Sequence, residues 1–160
     1  MLTVKLICVG KLKEKFYIDA AAEYQKRLKG SCRLEVIELP EQKLPQEPAA
    51  VQIQGALDKE CEAILAKLPK GGKVVAMCVE GTPMSSQELS KLLGGWMVGG
   101  VSEVAFVVGG SYGLSPRVKA RADVRLSMSE MTFPHHLARV MLLEQIYRAF
   151  QIQNGTGYHK

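Results

Sequence analysis

The sequence predicts an α/β domain built on a parallel sheet, and three observations carry that prediction. Short apolar runs recur along the chain and are too continuous for strands with one wet face: Leu2 to Val9, Lys73 to Val79 and Val104 to Val108. The stretches between them repeat their apolar residues every third or fourth position, the period of a helix. Glycine or proline closes nearly every segment, so strand and helix alternate in the manner of βαβ units. At 160 residues the chain suffices for one domain, 1–160, with its own core and without metal or disulfide staples.

Taken in order, Leu2 to Val9 is the first strand, stopped by Gly10. A basic turn, Lys11 to Lys15, leads into a helix whose expected buried stripe is Phe16, Ala20, Tyr24 and Leu28, with Gly30 as its stop. Arg33 to Leu39 is the second strand, closed by Pro40. Pro40, Pro45 and Pro48 bound a polar loop expected to be exposed. Val51 to Leu68 is a helix with the stripe Ile53, Leu57, Cys61, Ile64 and Leu68. Lys73 to Val79 is a third strand, expected to be covered on both faces. Ser85 or Ser86 caps the next helix, with Glu88 placed to complete a capping box with Ser85, and that helix runs to about Met97. Val104 to Val108, a short helix, Val124 to Ser127 and a long helix from His135 to about Gln153 complete the chain.

Several classes of protein are disfavoured by what is missing. Charges interrupt the apolar start Met1-Leu-Thr-Val-Lys-Leu-Ile, which is not the pattern of a signal peptide. No apolar stretch approaches the roughly 18 residues of a membrane span, and a cytoplasmic protein with no membrane partner is the expectation. The four cysteines, Cys8, Cys32, Cys61 and Cys78, form no C-x-x-C pair, and buried thiols are expected. His135, His136 and His159 lack the H-x-x-x-H spacing of a helical metal pair, so no metal site is expected. The net charge of +5 is unevenly spread, with both ends basic and residues 34–116 acidic. Basic ends that met on one surface would attract a polyanion.

Two irregular loops follow buried strands, where open α/β sheets place ligand sites. The first, Gly109-Gly-Ser-Tyr-Gly-Leu-Ser-Pro116, is neither G-x-G-x-x-G nor a phosphate loop ending in G-K-[ST], and no acid lies suitably about 20 positions on. Its glycines serve either close approach of backbone to a ligand or a plain turn. The second is Met128-Ser-Glu-Met-Thr-Phe-Pro134. In the last helix, Val140, Leu142, Leu143, Ile146, Tyr147 and Phe150 form one wide apolar arc, broad enough to suggest a second subunit as well as the sheet. Arg139 falls within that arc. A buried guanidinium needs a partner, which would be a carboxylate of the fold, a carboxylate of another subunit, or a ligand. Glu144 and Arg148, at i, i+4 off the arc, read as a solvated ion pair. His135, one turn before Arg139 at the helix start, is a candidate ligand contact.

Phe106-Val-Val-Gly-Gly-Ser-Tyr-Gly-Leu-Ser115, Leu126-Ser-Met-Ser-Glu-Met-Thr-Phe-Pro-His135, Arg139, Leu143-Glu-Gln-Ile-Tyr-Arg-Ala149 and the terminal Tyr158-His-Lys160 closely resemble the bacterial ribosomal RNA large subunit methyltransferase H family, of the SPOUT class. The resemblance covers essentially the whole chain and is most specific from Phe106 onward. It implies a C-terminal deep trefoil knot, a homodimer, and S-adenosyl-L-methionine bound in the knot. It implies a cofactor pocket formed by Met77, Gly109, Gly110, Met128, Ser129, Glu130, Met131, Thr132 and Phe133. It also implies methylation of N3 of a pseudouridine in a stem-loop of 23S rRNA, with the assembled ribosome as partner.

That chemistry suits the residues. A sulfonium methyl is already electrophilic, so the protein must place N3 in line and remove its proton. Arg139 would stabilise charge on the imide oxygens, and His135, Glu144 or His159 would take the proton, with no choice among the three from sequence. The tail Tyr158, His159 and Lys160 offers an aromatic stacking face beside a phosphate-seeking cation, suited to an exposed loop base. Two other readings remain open at this point: a non-catalytic RNA- or ribosome-binding α/β protein, and a small nucleotide-dependent enzyme with a Rossmann-like sheet. The missing ribose-binding acid counts against the latter.

Overall fold

A computed structural model describes residues 1–160. The elements follow in the order β1 (Thr3–Val9), α1 (Lys15–Leu28), β2 (Arg33–Leu39), α2 (Ala50–Leu65), β3 (Lys73–Pro83), α3 (Ser86–Val98), β4 (Glu103–Val108), α4 (Pro116–Arg121), β5 (Val124–Ser127) and α5 (His135–Gln153). The strands form one sheet in the order β2-β1-β4-β3-β5, and every neighbouring pair is parallel.

Side chains alternate across this sheet, and each face has its own core. Val4, Leu6 and Cys8 of β1, Phe106 of β4 and Val75 of β3 pack with α1, α3 and α5. Ile7, Val9, Ala105, Val107, Val74 and Ala76 point the other way, onto Cys61 and Ile64 of α2 and Val118 of α4. Helices on both sides explain why the central strands are apolar throughout.

The stripe expected for α1 holds at Tyr24 and Leu28 but is off by one residue in the first two turns. Phe16 is exposed at 65%, and the inward face is Tyr17, Ala21, Tyr24 and Leu28. Steps of four residues drift by about 40° each around a helix of 3.6 residues per turn, so a buried face must mix steps of three and four. Counting back from Leu28 by fours therefore walks off the core. In α2, regular helix ends at Leu65 rather than Leu68. Lys67 and Leu68 continue it with tighter bonds to the Ile64 and Leu65 carbonyls, ahead of Pro69. The Ser85 hydroxyl caps α3 by accepting from the Glu88 amide at 3.0 Å.

β3 extends past Val79 to Pro83 through a break in register. Met77 and Thr82 both pair with Leu126 of β5, so residues 78–81 bulge out of the ladder. Gly81 makes this possible, because a Cβ there would lie 2.8 Å from the Arg125 backbone. From β5, at the sheet edge, residues 128–134 return toward α5, which packs against α1 and α3. This order is compatible with the threading that the resemblance implies. No helix is long and apolar enough to cross a membrane. Cys8, Cys32 and Cys61 are buried, Cys78 is partly so, and burial pushes the Cys8 thiol up to about 12 and Cys32 up to about 11.

Candidate functional site

The C-terminal ends of β3, β4 and β5 open into a cavity of about 770 Å³, within the ~300–1,000 Å³ usual for cofactor sites. β3 supplies Met77 and its bulge supplies Cys78, Val79 and Glu80, and the turn after β4 supplies Gly109 to Leu114. The loop after β5 contributes Met128, Ser129, Met131, Thr132, Phe133 and Pro134, and α5 adds His135 and Ala138. Eight of the nine residues expected around the cofactor thus share one cavity; Glu130 is exposed and outside its lining. Loop geometry accounts for this. The Ser129 hydroxyl accepts from the Met131 amide at 3.0 Å, and the Ser129 carbonyl accepts from the Ser127 hydroxyl at 3.0 Å, so residues 127–131 form a compact bend.

The glycines after β4 answer a question that the sequence left open. A Cβ on Gly109 would lie 2.4 Å from the Gly113 carbonyl oxygen, across a turn closed by the Gly110–Gly113 bridge. A Cβ on Gly110 would face Glu41 Oε1 at 3.1 Å and Val9 Cγ1 at 3.4 Å. Gly109 is required by the backbone it faces, whereas a Cβ on Gly110 would press only on side chains, the nearest a movable glutamate; the turn they share forms the cavity wall.

His135 lies at the start of α5 with its ring 4.1 Å from that of His136. Its Nε2 is buried without a hydrogen-bond partner, in a side chain that lines the cavity. Burial pushes its pKa below the ordinary histidine value, helped by His136 and by the Arg139 guanidinium and opposed by Glu41. The imidazole is therefore neutral near pH 7, with a ring nitrogen left for a ligand. Opposite, Lys119 pairs with Glu80 and holds that carboxyl below its usual range.

Arg139 is held within the chain by its two terminal nitrogens, while its Nε is buried without a partner. It is 2% exposed; its Nη1 donates to Glu38 Oε2 at 2.6 Å and its Nη2 to the Gly10 carbonyl at 2.8 Å. Glu38 Oε2 also accepts from the Leu12 amide at 3.3 Å. Of the partners open to it from sequence, the carboxylate of the fold is the one present, and the guanidinium ties the β1 exit to α5. The apolar arc around it is likewise absorbed by the fold, since Leu142, Leu143, Ile146 and Phe150 are buried against the sheet, α1 and α3.

Glu144, Tyr158 and His159 lie together, outside the lining of the main cavity. Arg148 Nε donates to Glu144 Oε1 at 2.7 Å, and Nη1 lies 3.1 Å from His159 Nδ1, which must accept because a guanidinium only donates. The Arg148 guanidinium also stacks 4.7 Å over the Tyr158 ring, and that ring meets Tyr147 edge-on at 4.9 Å. His159 Nε2 lies 2.9 Å from the Gln87 amide of α3. The Glu144–Arg148 pair is thus a half-buried junction rather than a solvated pair, because the C-terminal tail folds back over it. Glu144 lines a separate hollow of about 390 Å³ that shares Leu126 and Met128 with the main cavity. No group of three or more potential metal ligands gathers anywhere in the chain.

A parallel sheet whose strand ends open into an apolar cavity walled by a Gly-rich turn defines an α/β small-molecule-binding enzyme class. The family model described as "Predicted SPOUT methyltransferase" matches residues 2–159, and the chain belongs to the SPOUT methyltransferase family. Among curated relatives it is 46% identical to "Ribosomal RNA large subunit methyltransferase H" of Streptococcus sanguinis (strain SK36), over 98% of this chain and 99% of the relative. It is 44% identical to the protein of that name from Clostridioides difficile (strain 630), over 99% of this chain and all of the relative. Solved structures share the fold at low identity. The "Probable Methyltransferase from Bordetella pertussis Tohama I" superposes with a TM-score of 0.59 at 17% identity, over 92% of this chain and 93% of that one.

Proposed function

We propose that this protein is a cytoplasmic enzyme that transfers a methyl group from S-adenosylmethionine to N3 of a pseudouridine in 23S rRNA, within the assembled ribosome. Residues 1–160 act as one catalytic domain and work as a homodimer. The observation that carries the reading is the cavity at the strand ends, with the neutral, unpartnered His135 Nε2 in its wall. The relatives' name, ribosomal RNA large subunit methyltransferase H, supports the choice of substrate. Val79 and Met131, exposed at the cavity, support a second copy as cover.

The residues fit the cofactor. Met77, Met128, Phe133 and Leu114 offer apolar surface for an adenine ring, backbone of residues 109–113 offers polar groups, and the orphaned His135 nitrogen awaits a partner. When bound, S-adenosylmethionine supplies an electrophilic sulfonium methyl, so the protein's tasks are orientation and proton removal. His135 accepts the imide proton from N3, a role that needs the neutral ring its burial enforces. Arg139 fixes α5 to the Gly10 turn and so fixes His135 one helical turn away. Tyr158 and Lys160 present a stacking ring and a cation to the extruded base, with His159 beside them, which requires the tail to leave Arg148 and Gln87. Calorimetry with S-adenosylmethionine tests the reading: saturable heat with one site per chain is expected. A protein that only binds RNA gives none.

A further inference from the structure

A second groove, of about 440 Å³, adjoins the cavity and shares Ser111 and Tyr112 with it. Its other walls are Lys13 from the basic turn after β1, residues 41–45 from the Pro40–Pro48 loop, and Ile53, Ala56, Leu57 and Glu60 from α2. Resting on the reading above, we propose that this groove binds a nucleotide flanking the methylated one in single-stranded RNA: the base on its apolar floor, the backbone phosphates on Lys13 and Lys43.

Charge, shape and position all point to that occupant. Lys13 and Lys43 are exposed and make no ion pair or hydrogen bond in the protein, unlike Lys15 nearby, which pairs with Asp19 at 2.6 Å. The groove's two acids are engaged. Glu41 Oε1 accepts from the Ser111 hydroxyl at 3.4 Å, and Glu60 Oε2 accepts from the Gln42 amide at 3.1 Å. Burial also holds the Glu60 carboxyl above its usual range. Among its lining residues, Leu44, Ile53, Ala56 and Leu57 form an apolar patch beside Glu60, a surface on which a base face can rest. Tyr112, half exposed between the two hollows, offers a ring on which a base can stack. A strand whose target base enters the main cavity therefore continues over Tyr112 onto the two lysines.

The test measures methylation of unmodified ribosomes, and equilibrium binding of a short single-stranded oligoribonucleotide, by the full-length protein carrying Lys13→Gln and Lys43→Gln together. A charge control carries Lys70→Gln and Lys91→Gln, exposed lysines outside both hollows. The groove variant is expected to raise KM for ribosomes and Kd for the oligoribonucleotide about tenfold each, and to make the salt dependence of log Kd shallower by about 1.4, from ~0.7 per phosphate contact on single strands. Calorimetric affinity for S-adenosylmethionine, kcat at saturating ribosomes and the control's KM and Kd should stay within about twofold. An unchanged KM, or an unchanged Kd and salt slope, would overturn the proposal. A rise in KM with unchanged oligoribonucleotide binding would assign the groove to a ribosomal protein contact. Failure of the underlying reading is separable, since it would appear as absent cofactor heat in the unsubstituted protein.

Discussion

Arg139→Met tests the most unusual feature of the core, a fully buried guanidinium. Methionine retains the apolar stem but leaves Glu38 without its 2.6 Å partner and the Gly10 carbonyl without its donor. Removing one member of a buried ion pair costs about 3–5 kcal/mol. The Glu38 side chain is 33% exposed, so water relieves part of the orphaned charge and places the cost at the low end, about 3 kcal/mol. At about 2–4 °C per kcal/mol for a domain of this size, the melting temperature should fall by about 6–12 °C. Adding Glu38→Gln should recover part of that loss, because the remaining partner is then uncharged. Scanning calorimetry of the two variants reads both numbers. The argument would be refuted if Arg139→Met melted within about 1 °C of the parent while losing methyl transfer, since the guanidinium would then be serving substrate rather than the fold.

Other consequences follow from the same geometry. Gly81→Ala forces a Cβ against the Arg125 backbone at 2.8 Å and should destabilise the β3–β5 edge by about 1–3 kcal/mol, read as a lower denaturation midpoint. Gly95→Ala meets nothing within 4 Å inside α3 and should stabilise by about 0.5–1 kcal/mol in the same assay. His135 binds its proton less readily folded than unfolded, so the unfolded chain takes up more protons below about pH 6.5 and stability drops as pH falls through that value. Melting curves from pH 7.5 to 5 should show that slope shallower in His135→Gln, by comparison with the parent. Deleting residues 158–160 removes the packing of Tyr158 on Tyr147 and Arg148 and should lower stability by about 1 kcal/mol. Methyl transfer should fall at least about tenfold, equivalent to 1.4 kcal/mol, without loss of cofactor heat.

The sheet was legible because its central strands are buried on both faces and their apolar runs admit no competing period. Helix faces were less so: the i, i+4 spacing of Phe16, Ala20, Tyr24 and Leu28 is a true pattern that drifts off the core over three turns. The extension of β3 depended on Gly81, whose close approach to Arg125 is a contact between segments more than forty positions apart. At the site, the two loops were marked by their glycines and prolines and by following apolar runs. The partner of Arg139 was not, since Glu38 lies 101 positions away and looks like any polar residue of an edge strand. Glu41 was missed for the same reason. It approaches Gly110 and Ser111 from the loop after β2, about seventy positions earlier in the chain. The docked tail had a local sign, Arg148 and Tyr147 spaced to meet Tyr158 and His159, but after Gly155-Thr-Gly157 the chain's return is visible only in three dimensions.

Transfer of a labelled methyl group from S-adenosylmethionine to ribosomes lacking this modification, followed by nucleoside mass analysis of the 23S rRNA, tests the central claim most directly. The account predicts one label per ribosome, on N3 of a pseudouridine, abolished when Gly109→Val drives a side chain into the Gly113 backbone and breaks the turn that walls the cavity. Label on a ribose oxygen or on another base, or no transfer by a protein that gives cofactor heat, would contradict it.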